Sequence, residues 1–276
     1  DHRESRGLGD VYKRQLEAIA KIAQEAEVPL IVDNTMATPW LCRPFEWGAD
    51  LVVHSTTKFL SGQGNAMGGI VIDSGRFPWF GNAKYPSLSE PCPDYNGLTF
   101  AETFGDMAFT LYSHAVSLRD LGCTQSPMNA WITLNGVETL PLRMERHVEN
   151  AQKVAGFLQQ HPSVEWVSYA GLSSSPYYQL AQKYLQGKAG SVFTFGIRGG
   201  YESGLRLLEK VELFSHVSNI GDSRSLILHP ASTTHRQLSD EQRLTAGAGP
   251  EVIRLSVGIE SAEDLIADLE QALEGL

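Results

Sequence analysis

Three short aliphatic runs, PLIVDN (residues 29–34), ADLVVHS (49–55) and GGIVID (68–73), follow one another at intervals filled by helix- or loop-forming residues. None of them alternates apolar with polar residues, so each is expected to be a strand covered on both faces. Short buried strands separated in this way predict an α/β fold with a mostly parallel sheet covered on both sides. Before the first run, LEAIAKIAQEAE sets Leu16, Ile19, Ala20 and Ala23 at helical spacing. Pro29 cannot continue that helix.

Further along, residues 75–100 are rich in Pro, Gly, Asn and Tyr and predict a long loop. The pattern turns helical from Phe104 through Leu121. Pro127 is expected to open one long helix that runs past Asn150 and ends by Pro162, with Trp131, Leu134 and Val137 on one face. After it, VEWVSYA, SVFTFGI, SLILH and VIRLSVG read as strands, and residues 176–186, 201–210 and 261–274 as helices. These make a second, smaller α/β domain. The expected organisation is therefore a head over residues 1–15, a large-domain portion over 16–143 and a small domain over 144–276. The head, DHRESRGLGDVYKRQ, carries mixed charges and no apolar face, and reads as an arm or as sequence foreign to the body.

Charge and cysteine usage narrow the function classes. A formal net charge of -10 over 276 residues repels polyphosphate, so nucleic acid is not an expected partner. No apolar run is long enough to span a bilayer and no signal peptide is visible, so neither membrane insertion nor export is expected. Cys42, Cys92 and Cys123 are odd in number and widely spaced, which gives neither a disulfide framework nor a C-x-x-C pair. A reducing, cytoplasmic setting follows. A metal site built from His54, His114, His229 and His235 is not expected, because no two of them have the close spacing of a ligand pair on one helix.

Two strand ends carry chemistry. The first run ends in Asp33-Asn34-Thr35 and the second in His54-Ser55-Thr56-Thr57-Lys58. Ligands of open α/β sheets bind beyond the carboxyl ends of the strands, so a carboxylate, several hydroxyls and a lysine can meet there. Pyridoxal phosphate needs those groups: an amine to form a Schiff base, an acid to keep the ring nitrogen protonated, and hydroxyls for the phosphate. Ser55 and Thr57 lie two apart and project the same way while the chain stays extended. Each residue alone has a plainer reading. Asp33 would be a turn or cap residue, Lys58 a solvated surface charge, and His54 a satisfied structural histidine. Their conjunction at neighbouring strand ends is what carries weight.

The segment IVDNTMATPWLCRPFEWGADLVVHSTTKFLSGQGNAMGGIVID resembles the cofactor-lysine region of the Cys/Met-metabolism pyridoxal-phosphate enzymes, and the likeness extends from about Leu16 to the C-terminus. It implies a fold-type I, aspartate-aminotransferase-like architecture in which the large domain is only partly present. Within the family, KYPSLSEPCPDYNGLTFAETFGDMAF and NIGDSRSLILHPASTTHRQLSDEQ are similar to the branch that acts on O-acetylhomoserine.

Carried over by position, the resemblance makes Lys58 the catalytic, cofactor-bearing lysine. Asp33 becomes the partner of the ring nitrogen, and Ser55 and Thr57 bind phosphate. Arg254 clamps the substrate carboxylate, with Asn219 beside it. It implies replacement at the γ-carbon of O-acetyl-L-homoserine by sulfide or methanethiol, in a homotetramer built as a dimer of dimers. Cystathionine γ-synthase and methionine γ-lyase chemistry are the alternatives within the family. Outside it, the alternative is an inactive fragment, because the family's N-terminal portion has no counterpart before Leu16.

Overall fold

The computed structural model describes residues 15–276. The expected head lies outside the described residues except for Gln15, which precedes the first helix. That helix, α1 (Leu16–Glu25), buries Leu16 and Ala23 and gives way to a turn before Pro29. The first two aliphatic runs form β1 (Ile31–Asp33) and β2 (Leu51–Ser55), paired in parallel with Ile31 opposite Leu51 and Asp33 opposite Val53. The third forms β3 (Gly69–Asp73), which pairs with β2 antiparallel.

The expectation of a mostly parallel sheet is thus corrected to a mixed one. A parallel return needs a crossover, usually helical, whereas residues 56–68 hold a single tight helical turn and bends. Only β2 is covered on both faces, with Leu51 and Val52 at 2% and 3% exposure. Ile31, Ile70 and Val71, on the flanking strands, stand exposed.

A further correction concerns the long helix. The chain forms two, α2 (Pro127–Glu138) and α3 (Leu140–Gln160), separated at Thr139, where φ is -101° and ψ is 1°. Pro141 has no N–H to return to the preceding turn, so the helix breaks there. The start is as expected: the Ser126 side chain caps α2 by accepting from the Asn129 N–H. Trp131, Leu134 and Val137 share no buried face; all three are exposed. Residues 75–100 are not a bare loop either. Phe77, Trp79 and Leu88 pack with Phe100, Ala101 and Ala108 into a small aromatic-rich cluster of their own.

The C-terminal half forms a five-stranded sheet, ordered β4-β5-β8-β7-β6. Its strands are β4 (Val164–Ser168), β5 (Val192–Ile197), β6 (Ser215–His216), β7 (Leu226–Leu228) and β8 (Val252–Ser256). Between them run α4 (Tyr178–Tyr184), α5 (Gly200–Lys210) and α6 (Asp240–Thr245), and α7 (Ala262–Leu273) ends the fold. Phe195, Ile197, Ile253 and Leu255 pack with Val154, Leu158, Leu207 and Leu269 of α3, α5 and α7. One apolar core also takes in Val32, Val52 and Phe59, so the two sheets share it. The expected domain boundary at 143/144 falls inside α3. Among the described residues no helix is long and apolar enough to cross a membrane.

Candidate active site

Lys58 sits where β2 ends. The chain leaves the strand at Ser55 and closes into a π-type turn, Thr56–Leu60, in which Lys58 departs from helical geometry with φ -88° and ψ -128°. The turn is closed by Ser61 N–H to the Thr56 carbonyl at 3.0 Å and Gly62 N–H to the Lys58 carbonyl at 2.8 Å. The Lys58 amine donates to Asn219 Oδ1. The main-chain carbonyl of Asn219 in turn accepts from Arg254 Nη2 at 3.2 Å.

Asn219 reaches the lysine because its loop closes tightly on the turn. Gly221, at φ 71°, lies so near that a Cβ there would come within 2.7 Å of the Phe59 nitrogen. The Gly221 N–H donates to Ser256 Oγ on β8, and the Ser223 N–H donates to the Gly62 carbonyl. Arg254 comes from β8 itself. Its strand neighbours Ile253 and Leu255 point into the helical layer, so Arg254 points the other way, beside its cross-strand partner Thr194.

Asp33 and Ser55 share one face of the first sheet, since Asp33 is opposite Val53 and Ser55 follows two residues later. Asp33 Oδ1 accepts from the Thr35 N–H at 3.0 Å, and Thr35 Oγ1 accepts from the Ser55 N–H at 2.7 Å. Asp33, Ser55, Lys58, Asn219, Arg254 and Thr194 all line one cavity of about 800 Å³. A second cavity of about 870 Å³, between α1 and residues 76–84, contains none of the candidate cofactor- or substrate-binding residues.

Thr57 is the exception. The chain is no longer extended at that point, so the two-residue spacing from Ser55 does not aim both hydroxyls alike. Thr57 Oγ1 instead accepts from the Gly68 N–H at 3.1 Å, and Thr57 is absent from the cavity wall. His54 is buried on the opposite face of β2, with its basicity lowered by burial. Thr194 was not foreseen. Its signal was the one hydroxyl interrupting the apolar run of SVFTFGI after its first residue.

The charges are arranged for a ligand rather than for one another. Burial, and then the Arg254 guanidinium, hold the Lys58 amine below the ordinary lysine range. Burial also lowers the Arg254 pKa, with no acid opposing it among the described residues. A partly buried cation without a carboxylate partner is costly unless an anion arrives. The wall therefore offers a nucleophilic amine, an acid, hydroxyls and an anion clamp, in a volume that suits a small molecule.

A family model described as Cys/Met metabolism PLP-dependent enzyme matches residues 11–274. The O-acetyl-L-homoserine sulfhydrylase of Leptospira meyeri is 51% identical over 268 residues, covering 94% of this chain and 60% of that protein. O-acetyl-L-homoserine sulfhydrylase 1 of Thermus thermophilus is 50% identical, covering 94% of this chain and 61% of its own length. The chain thus spans about three-fifths of the curated relatives it matches. Among solved structures, a Campylobacter jejuni protein described as an O-acetylhomoserine (thiol)-lyase, with N'-pyridoxyl-lysine-5'-monophosphate, superposes with a TM-score of 0.90. It is 43% identical, over 94% of this chain and 62% of that one.

Proposed function

Because the chain belongs to the Cys/Met metabolism PLP-dependent enzymes, we propose that its cavity holds pyridoxal phosphate on the Lys58 amine, and that the protein replaces the γ-acetoxy group of O-acetyl-L-homoserine with sulfide or a small thiol such as methanethiol. The products are homocysteine, or methionine from methanethiol, and acetate. One observation carries this reading: the Lys58 amine, the Asp33 carboxylate and the Arg254 guanidinium line a single cavity.

The residues fit the cofactor. A lysine held below its usual range has more of its amine neutral and nucleophilic near neutral pH. Among the described residues Asp33 is tied only to the Thr35 N–H, which leaves lone pairs for a ring nitrogen. Ser55 offers a hydroxyl to the phosphate, while Thr57 would do so only by turning from Gly68. When bound, pyridoxal phosphate supplies an electron-poor ring that stabilises negative charge on the adjoining carbon.

The chain's own part is to bind, orient and move protons. Arg254 meets the amino acid's carboxylate with its planar fork, and Asn219 anchors that arginine through its main-chain carbonyl. Lys58 Nζ, once neutral, takes the proton from the substrate α-carbon and later returns it. The Asp33 carboxylate holds the opposing positive charge of the ring nitrogen in place. The relatives' names favour an acetyl donor over cystathionine γ-synthase or methionine γ-lyase chemistry. Exposed Trp131 and Leu134 are suited to burial in the dimer of dimers that belongs to the same proposal.

Reduction with borohydride after addition of pyridoxal phosphate, followed by peptide mass analysis, is expected to find the pyridoxyl group on Lys58 and to lose it in Lys58→Ala. Retention on another lysine, or equal retention in the variant, sinks the reading. Sulfide-dependent acetate release from O-acetyl-L-homoserine, set against ammonia release from methionine, separates transfer from γ-elimination.

A further inference from the structure

The turn that carries Lys58 is held from a distance. Arg143, early in α3, donates from Nη1 to the Phe59 carbonyl at 2.8 Å and from Nη2 to the Leu60 carbonyl at 3.3 Å. Nη2 also donates to the Gly136 carbonyl near the end of α2 at 2.6 Å, and Nε to Thr139 Oγ1 at 3.1 Å. Among the described residues no acid accounts for its presence: burial lowers its pKa and no carboxylate there opposes that.

What the guanidinium does is cap main-chain oxygens. The Lys58 turn interrupts its own helical geometry and is closed by few internal bonds. The carbonyls that follow the lysine would otherwise end a turn without donors, the usual deficit of a helical C-terminus. A planar fork with five N–H groups serves carbonyls on both segments at once, here those of Phe59 and Leu60 and that of Gly136. The Ser223 N–H completes the set by donating to the Gly62 carbonyl at 2.8 Å.

We propose that Arg143 is a positioning residue for Lys58: by fastening the two carbonyls after the lysine to the end of α2, it fixes where the amine stands in the cavity. The catalytic consequence rests on the role proposed for Lys58, but the positional claim can be tested without cofactor or substrate. The tests are amide hydrogen exchange and competitive acetylation of Lys58, applied to the full chain carrying Arg143→Met or Arg143→Lys. In Arg143→Met the amides of residues 59–62 are expected to exchange about tenfold faster or more, while those of β8 keep their protection.

The acetylation rate of Lys58 is expected to shift in the same variant. Arg143→Lys recovers only part of both effects, because an ammonium cannot span the carbonyls; it also serves the comparison if Arg143→Met does not fold. Unchanged exchange at 59–62 with unchanged Lys58 reactivity overturns the proposal. So does an equal loss of protection in β8, which would mark Arg143 as a general stabiliser. Failure of pyridoxyl retention on wild-type Lys58 would instead count against the proposed function, and the exchange result would still decide the role of Arg143.

Discussion

At the scale of residues, two cations share one wall. Lys58 and Arg254 both line the cavity, and the guanidinium is the second cause, after burial, of the lowered amine basicity. Arg254→Gln removes that positive charge and leaves the burial. The Lys58 pKa should then rise, though not to the value of a solvated lysine, because the larger cause persists. The amine becomes neutral only at higher pH, so the acid limb of its reactivity moves upward. Competitive acetylation of Lys58 across a pH series measures this directly, and a limb that stays put or moves down contradicts it. The polar strand ends made Asp33, Ser55 and Lys58 legible from sequence, since strand ends predict where side chains gather. The orientation of Thr57 was not legible, because two-residue periodicity fails once the chain turns at Thr56. Nor was the contact of Lys58 with Asn219, which closes over 161 residues and has no local signature.

Among elements, the closest approach to the Lys58 turn is made by α2. A Cβ at Gly136 would fall against the Leu60 carbonyl oxygen and 2.6 Å from that of Ser61. Two effects oppose each other in Gly136→Ala. Alanine favours a helix interior by about 0.5–1 kcal/mol over glycine. Forcing a methyl group against fixed main-chain oxygens costs about 1–3 kcal/mol. The second should win, since the neighbours are backbone and cannot rotate away. Urea unfolding is expected to show net destabilisation, and a stabilised variant would mean that α2 stands further off. The same region shows what sequence could and could not tell about elements. Ser126 and Pro127 announced the start of α2, because capping is local chemistry. Pro141 is the signal for the break, but an ambiguous one, because proline is tolerated in the first turn of a new helix. The exposure of β3 is not legible in its sequence, because an aliphatic run records hydrophobicity, not whether a neighbour covers it.

Across the whole molecule, the shared core joins the first sheet to the C-terminal half, and His147 lies at that junction. It is 0% exposed, donates from Nδ1 to the Val257 carbonyl at 2.7 Å, and packs edge-on to Phe59 with ring centroids 5.3 Å apart. Burial pushes its pKa down to about 4, against an ordinary 6.5, although the Val257 carbonyl favours the proton. Above 6.5 the imidazole is neutral in folded and unfolded chains alike, and this residue adds no pH dependence. Between 6.5 and about 4 the unfolded chain takes up a proton that the folded one refuses, so stability falls as pH falls. Below about 4 both forms are protonated and the loss levels off, at a total on the order of 3 kcal/mol for a shift of this size. Buried His54 and His229, lowered by the same cause, add in the same direction. His147→Asn offers an amide N–H toward the Val257 carbonyl but cannot titrate. Urea unfolding at pH 7.5, 5.5 and 4.5 should therefore show a clearly shallower acid loss in the variant than in the wild type. Parallel losses in the two proteins would place the acid sensitivity elsewhere in the core.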